Sequence, residues 1–498
     1  MSDIAWLVLF AVALRVVIAL AVPYVSYHDA IYQTLEPAHK LAFGTGLLPW
    51  EFVLGIRSWL LPGILAGLMR VGALMGATPD AVLFPGTLFM ASASCAPVIC
   101  GYLWGNRLLG RSGALVVAFA NAVWVDNLYY ATQTLTEVAA GDCLFVALYL
   151  GSTAAGSRRG LFWCGFAFGL SFAFRFHLGP AILIAVLWLC RREIGRRLPV
   201  LLLGAAPPVL ALGLIDWLSW GSPFQSIWLN AGINVWEGVG ANFGTSPWYQ
   251  MALYPIEAWT IAAPVLVWGA IKGTRRMPLA ALAVLAIFVT HGLVGHKEHR
   301  FVEPAFALIV SLTAVAAVEA WRGRAAAWAV RLPRFLRGET RLYASAWAGM
   351  SLLVALLPGY NHTWFRERTA LDLFAYLSAI DPAPCGVGLY GVDSGSVPGQ
   401  SHLPLATPLY EMDKDRFAGE QNAVDTIVAF AGTDIPDPAF LSDRCFTVNW
   451  DRDIHGKTLC DWRRRGVCDR TQAPPPKYHW PPAIATRYSP LSTIQSVP

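Results

Sequence analysis

Charge is what this sequence has least of. Only 14% of its 498 residues are Asp, Glu, Lys or Arg, against 56% hydrophobic ones, where an ordinary globular chain has about 25% charged and about 45–50% apolar residues. The shortage of charge argues against a soluble enzyme of this length, and the apolar excess excludes disorder. A net charge of only +5, with the basic residues in short clusters, is no nucleic-acid footprint, so no nucleic-acid partner is expected. Nine cysteines in so long a chain are too sparse for a disulfide scaffold. No CxxC…CxxC or HExxH zinc pattern occurs, and no metal is expected. What fills the chain instead is apolar runs, and they predict an integral membrane protein of many spans, with membrane lipids as its constant partner.

A helix needs roughly 20 apolar residues to cross about 30 Å of hydrocarbon. Eleven runs qualify as candidates: 4–22, 81–104, 112–128, 134–151, 160–176, 178–190, 198–219, 252–271, 278–295, 302–320 and 343–358. The Lys/Arg-rich short loops (107–111, 158–159, 191–197, 272–276 and 322–341) all fall on one side of that arrangement, as cytoplasmic loops do. The N-terminus is then inside. Residues 23–80, roughly 220–251 and everything after about 360 face outward. The fold class predicted is all-α polytopic over 1–358, with a first outer loop at 23–80, followed by a small α/β or α+β non-cytoplasmic domain at 359–498. That domain carries runs such as Thr426-Ile427-Val428-Ala429-Phe430 and four of the nine cysteines, Cys385, Cys445, Cys460 and Cys468. They allow two disulfides in three pairings. The stretch from Pro474 through Pro482 reads as an extended strap.

Two constellations carry chemistry. In the first outer loop, Asp29, Gln33, Glu36 and Lys40 share one helical face, and Ile31, Leu35, Ala38 and Ala42 the other. The pattern predicts an amphipathic helix on the membrane surface, kinked or broken at Pro37. Ser26 and Asp29 also have capping-box spacing, so Asp29 has two candidate roles, helix cap and catalytic group. The second is His296-Lys297-Glu298-His299-Arg300, between two apolar spans. Basic residues on the outer face run against the positive-inside bias. Lys297 and Arg300 either snorkel to lipid headgroups or bind the phosphate of a lipid-linked substrate, Arg as a planar fork and Lys as a point charge.

The run Asp29 to His39, Trp50-Glu51, Ile56-Arg57-Ser58-Trp59-Leu60-Leu61-Pro62 and above all His296-Lys297-Glu298-x-Arg300-Phe301 resemble glycosyltransferase family 22. Its members are the GPI- and N-glycan-assembly mannosyltransferases of the GT-C superfamily, which use polyprenyl-phosphate mannose. Gln133 to Glu137 and Ala173-Phe174-Arg175 are weaker matches. The family shows His-Pro-Asp-Glu at the loop start where this chain has Tyr27-His28-Asp29-Ala30, so one carboxylate carries over at Asp29, with Glu36 as a possible helper. The resemblance implies an inverting transfer of a sugar, mannose in the family, from a polyprenyl-phosphate donor to a lipid or glycan acceptor. Asp29 is then the catalytic base. His296, Lys297, Glu298, His299, Arg300 and Arg175 serve the donor phosphate, with Arg175 pairing Glu36 or Glu137 or touching the phosphate itself. Gln33, Glu36, Trp50, Glu51 and Arg57 line the acceptor side, Trp50 stacking on a sugar while most of the 21 tryptophans form an interface belt. No cofactor is implied. Asp29 and the cationic segment both fall on the outer face, which allows one cleft.

A transporter or flippase of lipid-linked sugars is the competing class. It would show internal repeats and broken midplane helices, and the sequence has no repeat. A non-catalytic scaffold would not need Asp29. Abundant Ala and Arg with few Lys suit a GC-rich bacterial genome, hence an inner membrane with the site facing the periplasm. The alternative is an endoplasmic-reticulum membrane and its lumen.

Overall fold

A computed structural model describes residues 2–324, 338–360, 363–393, 397–447 and 457–466, with isolated positions between 468 and 488. The middle of the 322–341 loop lies outside the described residues; of the proline-rich strap, 475–478 and 480 are described and carry neither helix nor strand, as an extended segment does. The chain forms two compact units that interleave along the sequence. One comprises Met1–Ile18, Phe89–Leu214 and Ala231–Asn361; the other comprises Ala19–Leu88, Ile215–Asn230 and His362–Pro498.

Among the described residues of the first unit, every regular element is a helix. Among the described residues of both units, six segments are long and apolar enough to cross a membrane: Asp3–Ala21, Pro79–Val123, Thr136–Ala154, Ile194–Trp220, Gln250–Gly273 and His299–Arg322. Shorter apolar helices run over Leu60–Met75, Phe176–Cys190 and Pro278–Gly292. The long Pro79–Val123 segment covers two predicted spans. It reverses at Gly110, whose φ of 72° only glycine adopts readily, within the loop predicted at 107–111. The arms then pack closely, because a Cβ on Gly105 would lie 3.0 Å from Ala114. Helix Asp3–Ala21 exposes Trp6, Leu9, Phe10, Val17 and Leu20, as a lipid-facing surface does, and buries Ala11 and Arg15. Arg15 is tolerated there because it donates to Ser94 Oγ (3.0 Å) and to the carbonyls of Ala11 (3.1 Å) and Ala122 (3.3 Å). Helix Leu60–Met75 falls in the segment 23–80 predicted as an outer loop with amphipathic helices; at 16 residues it is too short for a span-length window to find.

The second unit joins the first outer loop to the C-terminal sheet. The sheet is five-stranded in the order β2-β1-β3-β5-β4, with β1 at Val387–Tyr390, β2 at Leu409–Met412, β3 at Thr426–Phe430, β4 at Leu441–Phe446 and β5 at Leu459–Arg463. β1 pairs parallel with β2 and β3, while β5 pairs antiparallel with β3 and β4. β1 and β2 are buried along their whole length, as parallel strands covered on both faces are. On one face Val387, Leu389, Leu409, Val428 and Leu459 share a core with Leu373, Phe374 and Leu377 of helix Arg368–Ala379 and with Ile31, Tyr32 and Leu47 of the outer loop. That shared core is why residues 23–80 belong with the C-terminal part. Cys445 opposes Cys460 across β4 and β5 in one disulfide, and Cys385–Cys468 is the other, which selects one of the three pairings.

The outer-loop helix does not lie on a surface, contrary to the amphipathic pattern. Ile31, Tyr32, Thr34, Glu36, Pro37, Ala38, His39 and Ala42 are all buried. Of the polar face, Glu36 is covered by the C-terminal part and accepts from Ser401 N, while Asp29, Gln33 and Lys40 stay partly exposed; beside it Tyr32 Oη donates to Val397 O (3.2 Å). The winding changes from π over Ile31–Leu35 to α over Glu36–Phe43, so Pro37 sits in the first turn of a new helix, where its missing N–H costs nothing.

Candidate active site

The HKEHR segment folds as a bridge between helix Pro278–Gly292 and the turn His299–Ala305, and it draws in residues from two other helices of the same unit. Glu298 accepts from His296 Nε2 (2.8 Å) and from Arg300 Nε (2.6 Å). Arg300 reaches on to Glu137 Oε1 at 2.9 Å, and Arg175 reaches the same oxygen at 3.1 Å. Phe301 stands between the two guanidiniums, 5.2 Å from Arg300 and 5.3 Å from Arg175, within cation–π range. Glu137, Arg175 and Arg300 are buried, so each charge there depends on its partners. The weakest family-like pieces, Gln133 to Glu137 and Ala173 to Arg175, thus converge on the strongest one. Of the two carboxylates open to Arg175, the structure pairs it with Glu137.

The remaining members divide by their contacts. Lys297 donates to the carbonyls of Ser246 (2.8 Å), Gly295 (3.4 Å) and Val294, so its three protons tie down the neighbouring loop. His296 Nδ1 donates to Gly244 O (3.0 Å). Its pKa is raised by the hydrogen bond to Glu298, against the effect of burial. Burial pushes Glu298 upward, but the charge of Arg300 and the hydrogen bonds from His296 and Arg300 outweigh it and hold the carboxyl below its ordinary value. His299 Nδ1 meets Tyr130 Oη at 3.2 Å, while its buried Nε2 has no hydrogen-bond partner among the described residues.

The second unit assembles its own polar cluster around the helical run that opens at Asp29. Gln33 Nε2 donates to Glu51 Oε1 (3.0 Å), and Arg57 Nη2 lies 4.0 Å from the same oxygen. Burial raises the Glu51 carboxyl; Arg57 opposes that shift and the charge of Asp29 adds to it, so Asp29 and Glu51 feel each other electrostatically. Gln33, Glu51 and Arg57 are therefore grouped with Asp29 as the sequence implied. Two other acceptor-side candidates stand apart. Glu36 is wholly buried and accepts from Leu47 N (2.9 Å) and Ser401 N (2.7 Å), a carboxylate committed to backbone amides. Trp50 is only 4% exposed, so its ring does not stand open as a platform.

Sequence reasoning missed several polar partners. Asp126 accepts from Trp124 Nε1 (2.6 Å), Trp259 Nε1 (2.7 Å) and Tyr360 Oη; a lone acid in an apolar run was its signal. Glu367, buried, meets His28 Nε2 at 2.6 Å; the charged run Arg366-Glu367-Arg368 just past the last span was the signal there.

A family model described as the Alg9-like mannosyltransferase family matches residues 6–382. "GPI mannosyltransferase 3" of Yarrowia lipolytica is 28% identical over 80% of this chain and 75% of its own length. "GPI alpha-1,2-mannosyltransferase 3" of Mus musculus is 27% identical over 65% of this chain, and the alignment spans 61% of the mouse protein. Among solved structures, ArnT from Cupriavidus metallidurans bound to undecaprenyl phosphate superposes with a TM-score of 0.59 at 15% identity, covering 95% of this chain and all of that one. It shares the GT-C fold, an apolar helical body with a small C-terminal domain. On the extent of the family match, this multi-pass membrane chain belongs to the Alg9-like mannosyltransferase family.

Proposed function

We propose that this enzyme moves a mannosyl group from a polyprenyl-phosphate donor to a hydroxyl of a lipid-linked or glycan acceptor, with inversion, on the non-cytoplasmic face of its membrane. The observation that carries the reading is the network of buried Glu137, Arg175 and Arg300 with the part-exposed Glu298, supplemented by His296 and Lys297. Among these residues the cations outnumber the carboxylates, which suits a phosphate that gains charge as the glycosidic bond breaks. Arg300 and Arg175 supply planar donors held in fixed orientation by Glu137 and Glu298. His296 is kept toward its protonated form by Glu298, and the orphaned Nε2 of His299 is a further polar atom for substrate. The bound lipid phosphate of the ArnT structure supports a lipid-phosphate donor.

On the acceptor side Asp29 takes the proton of the attacking hydroxyl. A carboxylate is a weak base for an alcohol, so the transfer comes late, after the anomeric centre has gained oxocarbenium character. Glu51, with Gln33 and Arg57 around it, hydrogen-bonds the incoming sugar. The leaving group is a monophosphate on a lipid, and the guanidiniums do the work a bridging metal does for a nucleotide diphosphate, so no metal is required. Two disulfides in the C-terminal part suit an oxidising compartment. Composition favours a bacterial inner membrane and its periplasm; the eukaryotic relatives fit an endoplasmic-reticulum lumen equally.

The test is mannosyl transfer from polyprenyl-phosphate mannose by the detergent-solubilised protein and by Asp29→Asn. Activity in the wild type that is lost in the variant is expected. Equal activity in both removes Asp29 as the base. Movement of intact lipid-linked sugar across vesicles, with no transfer from any donor, would make the protein a flippase.

A further inference from the structure

We propose that Arg366 and Glu367, at the start of the C-terminal part, are the positioning residues for Asp29; the inference rests on Asp29 being the base. The segment before Asp29 has no regular structure of its own. It is gripped residue by residue from one place. Val25 N donates to Arg366 O (3.3 Å), and Arg366 Nη1 donates to Ser26 O (2.6 Å). The Arg366 guanidinium lies 4.8 Å from the Tyr27 ring centre, and Glu367 Oε1 meets His28 Nε2 at 2.6 Å. The next residue is Asp29, where the helical run begins.

The grip is itself anchored. Glu367 precedes helix Arg368–Ala379, whose Leu371 N bonds back to Glu367 O (2.9 Å), and Leu373, Phe374 and Leu377 of that helix enter the core of the sheet. Glu367 holds φ at +60°, a left-handed conformation that side chains other than Gly and Asn rarely adopt. Its side chain is 1% exposed. Backbone strain and a buried carboxylate at one residue both carry a cost, and a residue chosen for packing alone would need neither. The carboxylate has a use if it must reach His28. The sheet domain then acts as the fixed frame from which the base is aimed, and His28 transmits the aim without touching substrate.

Glu367→Gly in the full-length protein separates the two properties, since glycine accepts the backbone conformation and deletes the carboxylate. A displacement of the base of about 1 Å lowers turnover about 100-fold. The expectation is therefore a kcat loss of that order, with KM for donor and acceptor within about 3-fold and unchanged elution on size exclusion. Glu367→Gln keeps an acceptor for His28 and should recover kcat to within about 10-fold of wild type. If Glu367→Gly does not fold, His28→Gln applies the same test from the loop side. Wild-type kcat in Glu367→Gly, a loss confined to melting temperature or KM, or a loss in Glu367→Gln as deep as in Glu367→Gly each overturns the positioning role. Asp29→Asn run beside them separates the layers: its retained activity removes the base reading, whereas its inactivity together with full activity in Glu367→Gly removes only the positioning role.

Discussion

Glu137→Gln is the most informative change in the donor network. The carboxylate has 1% of its side chain exposed and is shared by Arg300 at 2.9 Å and Arg175 at 3.1 Å, themselves 5% and 8% exposed. Each guanidinium–carboxylate attraction at such a separation is worth about 4 kcal/mol at an effective dielectric near 20. Part of that is returned because a neutral amide has no ion to desolvate, and breaking a buried pair from one side costs about 3–5 kcal/mol. Gln also keeps one acceptor oxygen for two donors, which places the expected loss near the lower bound, about 3 kcal/mol. Arg300 keeps Glu298 as an anchor at 2.6 Å, so Arg175 should be the guanidinium that swings. The assay pairs thermal melting in detergent with steady-state kinetics in which each substrate is varied. Melting should fall, and kcat/KM for the lipid-phosphate donor should drop about 100-fold, with the acceptor KM little changed. Glu193→Gln is the control: its pair with Arg197 at 2.8 Å is 40% exposed on the carboxylate side, and its loss should cost under about 1 kcal/mol. A Glu137→Gln enzyme that melts with the wild type and uses the donor normally would refute the view that this carboxylate holds the phosphate-binding guanidiniums.

The pH dependence of stability has a defined sign. His296, raised above its ordinary 6.5, stabilises fully below that value and loses its contribution as pH climbs through the raised pKa; Glu298, held below its ordinary 4.5, contributes above that value and fails only as pH falls through its lowered one. Melting temperature should therefore decline above about pH 6.5, His296→Gln should flatten that decline, and Glu298→Gln should move it to lower pH; three superimposable profiles would contradict the pairing. Gly399→Ala would drive a Cβ to 2.3 Å from the Glu36 carboxyl and should destabilise by about 1–3 kcal/mol, read by melting, with Gly391→Ala, where a Cβ meets open space but φ is +66°, as a comparison for backbone strain alone. Closing a loop with a separation of 83 residues is worth about 4.5 kcal/mol and one of 15 about 3 kcal/mol, so Cys385→Ser should lower the resistance of the sheet to proteolysis more than Cys445→Ser does. Transfer activity should survive excess EDTA; a loss reversed by added magnesium would show that the guanidiniums are not sufficient for the leaving phosphate.

What was legible in the sequence was whatever rests on composition or on local pattern. The apolar runs located most spans, and the glycine turn at Gly110 fell inside a loop marked by its basic residues. The HKEHR segment was visible because five polar residues between apolar spans are conspicuous. Less legible was anything decided by long-range pairing. The spacing of 29–40 put Glu36 and Tyr32 toward water or membrane surface, yet Ser401 and Val397 meet them. No periodicity within forty residues reports what folds on top of them from the other end of the chain. Glu36 and Glu51 are equivalent by residue type, and only the fold separates a carboxylate spent on Leu47 and Ser401 amides from one grouped with Gln33 and Arg57. The same holds for Cys385–Cys468, whose partners are set by the sheet rather than by spacing.

The departure at residue 30 then acquires a physical sense. Where the family pattern has a second acid, this chain has Ala30, 4% exposed and packed at the start of the buried helical run. An ionised carboxylate there would need partners within that packed turn. Glu51, arriving on the separate short helix Trp50–Val53, brings a carboxyl to the neighbourhood of Asp29 without that burden, because Gln33 and Arg57 meet it. Burial biases Glu51 toward its protonated form, with Arg57 as the counterweight and the charge of Asp29 as reinforcement. If Asp29 is the base, a neighbouring carboxyl shifted toward neutrality sets less like charge beside it.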